Sequence, residues 1–161
     1  MASLAALAPD FKPLLGLDEA TVDEKGRILV GKKKRERLGE TFVLAIAPTN
    51  CLVAYPETVW SAVVSEILSH EGINAGTEQY TRLMLGNAED EIRFDAQGRF
   101  VVPQRLREVA KLKDKVVLLG CGNRMEIWAK SEYEEYSASP DDYALSRRQA
   151  MEKAYRQMKG A

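Results

Sequence analysis

The sequence predicts an α+β fold, mainly β, built from two copies of one small module with short helices and a C-terminal helix. Three observations predict it. The segment Asp23-Glu24-Lys25-Gly26-Arg27-Ile28-Leu29-Val30 returns as Asp95-Ala96-Gln97-Gly98-Arg99-Phe100-Val101-Val102, an offset of 72 residues. Each copy continues into a short basic stretch and then two apolar runs separated by turn residues. Between and after the copies, the apolar residues switch to helical spacing. Two repeats are too few for a solenoid, so the modules are expected to pack on each other.

The elements follow in chain order. Residues 1–13 read as a flexible tail: Met1 to Pro9 is small and apolar, without the basic flank or long apolar core of a signal peptide. The first module spans 16–56. In Asp23-x-x-Gly26-Arg27, glycine supplies the positive φ of a tight turn and aspartate bonds the backbone two residues on, so Asp23 and Gly26 are turn residues between two strands. Gly31 to Leu38 reads as a short basic helix. Phe42 to Ala47 and Cys51 to Tyr55 form a hairpin around Pro48-Thr49-Asn50. Residues 57–86 form a helical connector. Glu57 to Ser69 carries Val59, Trp60, Val63, Val64, Ile67 and Leu68 at helical spacing, Gly72 to Gly76 breaks the pattern, and Thr77 to Leu85 resumes it.

The second module, 88–136, repeats the plan with Asp95 and Gly98 as turn residues. Pro103 suits a first helical position, where its missing N–H costs nothing, and opens a helix to Ala110. Val116 to Leu119 and Arg124 to Trp128 flank a Gly120-Cys121-Gly122-Asn123 turn. Ser137 to Pro140 reads as a hinge. Residues 140–160 form a last helix, capped by Asp141 or Asp142, with Tyr143, Met151, Ala154, Tyr155 and Met158 on one side.

Composition narrows the function. Hydrophobic residues make up 45% and charged residues 29%, the balance of a globular chain. Apolar runs are too short to cross a bilayer, so no membrane partner is expected. Two cysteines and one histidine make neither a disulfide framework nor a metal site. There is no nucleophile–base pair and no phosphate-cradling glycine loop, which argues against an enzyme, a cofactor or a small-molecule ligand. Asp23 and Asp95 read as turn formers rather than catalytic carboxylates, and Trp60 and Trp128 as core or interface residues.

The net charge of −1 conceals a segregation. Lys25 to Arg37 sums to +6 and Glu91 to Lys115 to +3, leaving −10 for the rest. Such a separation gives one face to polyanions. Backbone phosphates take lysine and arginine, and base edges take the planar fork of arginine.

The pattern Asp-x-x-Gly-Arg followed by Val-x-Pro-x-x-Leu-Arg resembles the SpoVT-AbrB family of swapped-hairpin DNA-binding proteins. Two copies in one chain, with Ala88, Pro103-Gln104-Arg105-Leu106-Arg107 and Gly120-Cys121-Gly122-Asn123-Arg124-Met125-Glu126-Ile127-Trp128 in the second, resemble the MraZ family over about Gly16 to Tyr136. The resemblance implies a tandem swapped-hairpin β-barrel and a ring-like homo-oligomer on repeated operator boxes of double-stranded DNA. It implies a repressor of a division-and-cell-wall operon, with a cytoplasmic, nucleoid-associated address. By position, the family's DNA contacts fall on Lys25, Arg27 and Arg35 in the first copy and Arg93, Arg99 and Arg107 in the second. Arg27 and Arg99 are assigned to bases or phosphate near the turn. Lys32, Lys33, Lys34, Arg35, Arg105 and Arg107 are assigned mostly to the phosphate backbone. The first copy departs from the family at Gly31, where proline is usual, at Lys33-Lys34, and at Leu15 and Ala20. It thereby lacks an apolar helix residue and is expected to pack more loosely. Other readings are an antitoxin-type regulator and a ring-forming assembly protein without DNA binding.

Overall fold

The computed structural model describes residues 10–70, 74–138 and 147–160. The chain divides after Ala129. The first unit holds β1 (Leu14–Thr21), β2 (Arg27–Leu29), α1 (Lys32–Leu38), β3 (Thr41–Ile46), β4 (Cys51–Pro56), α2 (Glu57–Ser69) and α3 (Ala75–Met84). It continues with β5 (Glu89–Arg93), β6 (Arg99–Val101), α4 (Gln104–Val109), β7 (Lys115–Gly122) and β8 (Met125–Ala129). The second unit holds α5 (Lys130–Ser137) and α6 (Arg147–Met158). Residues 1–9 of the tail expected over 1–13, the Asp141 or Asp142 cap and Tyr143 lie outside the described residues.

The strands form a six-stranded sheet in the order β1-β7-β8-β4-β3-β5 and a separate ribbon of β2 and β6. All pairings are antiparallel. Each module's first strand pairs with the other module's hairpin: β1 runs along β7, and β5 along β3. The registers repeat as the sequence does. Thr21 faces Lys115 as Arg93 faces Thr41, and Ala20 faces Val116 as Ile92 faces Phe42. Two pairs are their own equivalents, Ile28 with Phe100 in the ribbon and Val53 with Glu126 in the sheet. A pseudo-two-fold axis relating the modules therefore passes through both.

One core serves both modules. Ile28, Val30, Phe100 and Val102 of the ribbon segments pack with Phe42, Leu44, Leu52, Val116, Leu118, Met125 and Ile127 of the sheet. Phe100 stands edge-on to Phe42 and Phe94, with ring centroids 5.3 and 5.9 Å apart. Small modules bury a low fraction of their surface, and sharing one core raises that fraction for both.

The second hairpin differs from expectation. Gly120 and Cys121 belong to β7 rather than to the turn, because β1 pairs along the whole strand up to Gly122. Gly122, at φ +84°, and Asn123 make the tight connection, closed by the Cys121 N–H on the Arg124 carbonyl. Gly120 is needed for close approach: a Cβ there would stand 2.4 Å from the Leu15 nitrogen. The α3 helix starts two residues earlier than the apolar pattern does, because the Asn74 side chain caps it from Thr77 N–H at 2.7 Å.

Candidate nucleic-acid interface

Both Asp-x-x-Gly-Arg segments fold into the same hydrogen-bonded turn. Asp23 Oδ1 accepts from the N–H groups of Lys25 and Arg27, each at 2.9 Å, and Oδ2 accepts from Arg27 Nε at 2.7 Å. Asp95 repeats this with Gln97 (2.9 Å), Arg99 N–H (3.0 Å) and Arg99 Nε (3.0 Å). Gly26 and Gly98 take φ of +77° and +82°. Each carboxylate is held below its ordinary range, first by the backbone N–H of its arginine. Desolvation opposes this, and the remaining hydrogen bonds and the arginine charge add to it.

A pH dependence follows. The folded values are depressed, so the stability from these turns is present above the unfolded value near pH 4 and lost as pH falls through the lowered folded ones. Urea midpoints should fall between about pH 6 and about pH 3. They should fall less in the Asp23→Asn/Asp95→Asn double variant. An equal fall in both proteins would show that other groups carry the dependence.

The ribbon places the two arginines together. Along β2 and β6 the middle residues Ile28 and Phe100 point into the core, and their neighbours face outward. Arg27 is the cross-strand partner of Val101, and Leu29 of Arg99. The outer face is therefore a two-by-two pattern of two arginines and two apolar residues. Each arginine engages its aspartate through Nε, so in Arg27 the terminal nitrogens, and in Arg99 Nη1, take no part in that contact. Arg99 Nη2 also donates to Gln97 Oε1. Lys25 lies exposed beside the first turn.

The other expected contact residues separate into groups. Lys32 and Lys33 are exposed on α1, with Lys32 Nζ 4.0 Å from Glu36. Arg93 is exposed at the end of β5. Arg105 is exposed but tied to Asn87 Oδ1 (3.1 Å) and Glu89 Oε1 (3.2 Å). Arg35 and Arg107 are half-buried braces. Arg35 donates to the Val30 carbonyl and lies over Gly98, the other module's turn. Arg107 donates to the Val102 carbonyl at 3.0 Å and lies over Gly26. Their guanidinium groups occupy the space a Cβ at either glycine would fill, a second reason for glycine there. No local signal in the sequence marks this exchange between modules.

Lys34 corrects one expectation. It replaces the apolar Leu106 of the second copy and is itself buried, with Nζ 2.6 Å from Asp18 Oδ2. Its charge is spent on β1 and is not offered to a phosphate. Nor does α1 lack a core residue there, because the lysine stem fills the place of leucine. Lys34→Leu should be neutral to stabilising, since it removes a desolvated ammonium and leaves Asp18 half-exposed to water. Asp18→Ala should cost about 1–3 kcal/mol by stranding that ammonium. Urea unfolding of both variants checks this, and a Lys34→Leu protein markedly less stable than wild type would refute it.

Trp128 is buried in β8, with Nε1 donating to Glu126 Oε1 at 3.0 Å, and Trp60 packs on Tyr55 at 5.5 Å. Burial pushes the Cys51 thiol up to about 12 and raises that of Cys121, so both stay protonated. Among the described residues, no three His, Cys, Asp or Glu side chains gather where they could hold a metal ion. No helix among them is long and apolar enough to cross a membrane.

A family model described as "MraZ protein, putative antitoxin-like" matches residues 14–83 and again 84–156. A protein of Caldanaerobacter subterraneus subsp. tengcongensis named "Transcriptional regulator MraZ" is 39% identical over 128 residues, 80% of this chain and 89% of that one. A protein of the same name from a Thermoanaerobacter species is 38% identical over the same shares. Another, from Acetivibrio thermocellus, is 37% identical over 126 residues, 78% of this chain and 87% of its own.

Proposed function

The chain belongs to the MraZ family, and from that premise we propose that it is a sequence-specific DNA-binding transcriptional regulator. It represses the operon that holds its own gene and binds repeated operator boxes as a ring-like homo-oligomer in the nucleoid. One observation carries this reading. The β2–β6 ribbon presents two arginine forks on one face, each set by a hydrogen-bonded turn. The major groove admits a two-stranded ribbon, and an arginine fork matches the O6 and N7 acceptors of guanine. Lys25, Lys32, Lys33, Arg93 and Arg105 contact phosphates, while Arg35 and Arg107 hold the turns in place. The pairing of β1 with β7 and of β5 with β3 supports a swapped-hairpin barrel of the SpoVT-AbrB type. A ring that offers several ribbons to repeated boxes gains affinity by raising effective concentration.

The test is fluorescence anisotropy with DNA from directly upstream of the chain's own gene, against a shuffled control, at several salt concentrations. Tight binding to the native fragment alone is expected, with log affinity falling steeply against log salt as counterions are released. Equal binding to both fragments would refute sequence specificity. The family description's "antitoxin-like" favours a second reading, a DNA-binding regulator that also holds a toxin. Co-purification of the product of a neighbouring gene would support it.

A further inference from the structure

We propose that Leu29 and Val101 are specificity-determining residues that read the 5-methyl groups of thymines in the major groove. The inference rests on the DNA-binding reading and refines it. Leu29 is 56% exposed and Val101 52%, although each lies in an apolar run where inward packing is the usual outcome. They face outward because Ile28 and Phe100 take the inward positions of these three-residue strands. A single exposed aliphatic residue is ordinary. Here there are two, at equivalent positions of the two modules, and each faces an arginine of the other module across the ribbon.

The surroundings select the occupant. The apolar pair lies between Arg27 and Arg99, with Lys25 exposed beside it. A second copy of this chain docking the same face would bring like charges together. Duplex DNA instead brings phosphates to the cations and, in the floor of the major groove, thymine methyls to the aliphatic groups. Strands about 4.8 Å apart fit a groove about 12 Å wide. The arginines would then read guanine while Leu29 and Val101 read thymine on the same ribbon, so one face distinguishes mixed sequences rather than G-rich ones alone.

Deoxyuridine isolates the methyl group, since it differs from thymidine only there. The experiment compares wild type with Leu29→Ala/Val101→Ala by anisotropy on the upstream fragment, made either with thymidine or with deoxyuridine throughout. Wild type is expected to bind the uracil fragment more weakly, by about fourfold for each methyl contacted. The double variant should bind both forms alike. Its fold should be unchanged, because both side chains are more than half exposed. Light scattering on both proteins gives the oligomeric state. Wild type that binds the native fragment with no uracil effect, or a variant that keeps the full effect, would overturn this inference alone. A variant whose oligomer falls apart would also overturn it, by assigning the face to subunit contact. Wild type that does not prefer the native fragment over the shuffled one would instead refute the sequence-specific reading on which this inference rests.

Discussion

Replacing Arg27 and Arg99 together with alanine is expected to reduce the preference for operator DNA sharply while the chain stays folded. An arginine bidentate to guanine is worth about 1–3 kcal/mol of discrimination, roughly 5- to 150-fold for each residue. The loss to folding is small by comparison. Asp23 and Asp95 keep their backbone N–H donors, and the Oδ2 atoms released are on partly exposed side chains that water can reach. The two single variants should differ. Arg99 is steadied by Gln97 Oε1, so its fork is pre-set and Arg99→Ala should cost more specificity. In the first turn the equivalent position is Lys25, whose alanine variant should weaken binding to all sequences and lower the salt slope by about 1. Arg82→Ala, on the exposed side of α3, serves as the control. Binding of the native fragment by the Arg27/Arg99 double variant as tightly as by wild type would remove the ribbon from the interface.

Phe100→Ala is expected to destabilise the fold by about 3–5 kcal/mol, the usual cost of removing a buried phenyl ring. Phe100 is 1% exposed, lies on the pseudo-axis and touches both Phe42 and Phe94. Its symmetry mate Ile28 is equally buried but smaller, and Ile28→Val should cost only about 0.5–1.5 kcal/mol. Because the two modules share one core, Phe100→Ala should lower the stability of both in a single transition. Urea unfolding followed by fluorescence and by circular dichroism, at one protein concentration, measures this. A cost below about 1 kcal/mol, or a second module that unfolds separately, would contradict a shared core.

The local elements were legible in the residues alone. Asp23 with Gly26 and Asp95 with Gly98 specify turns through backbone conformation and a hydrogen bond two residues away, both properties of a short segment. The helix from Glu57 to Ser69 follows from the spacing of its apolar side chains. The repeat at an offset of 72 residues already implied two related modules. The tertiary structure alone decided the rest. It decided that β1 pairs with the other module's β7, that Gly120 is a strand residue under Leu15, and that Arg35 and Arg107 brace the opposite turns. It also decided that Lys34 is buried against Asp18 and that Leu29 and Val101 face outward. Ile28-Leu29-Val30 and Phe100-Val101-Val102 are apolar at every position, so alternation cannot say which residue points inward. Pairing partners far apart in sequence are chosen by the burial they jointly achieve, and that depends on both modules at once.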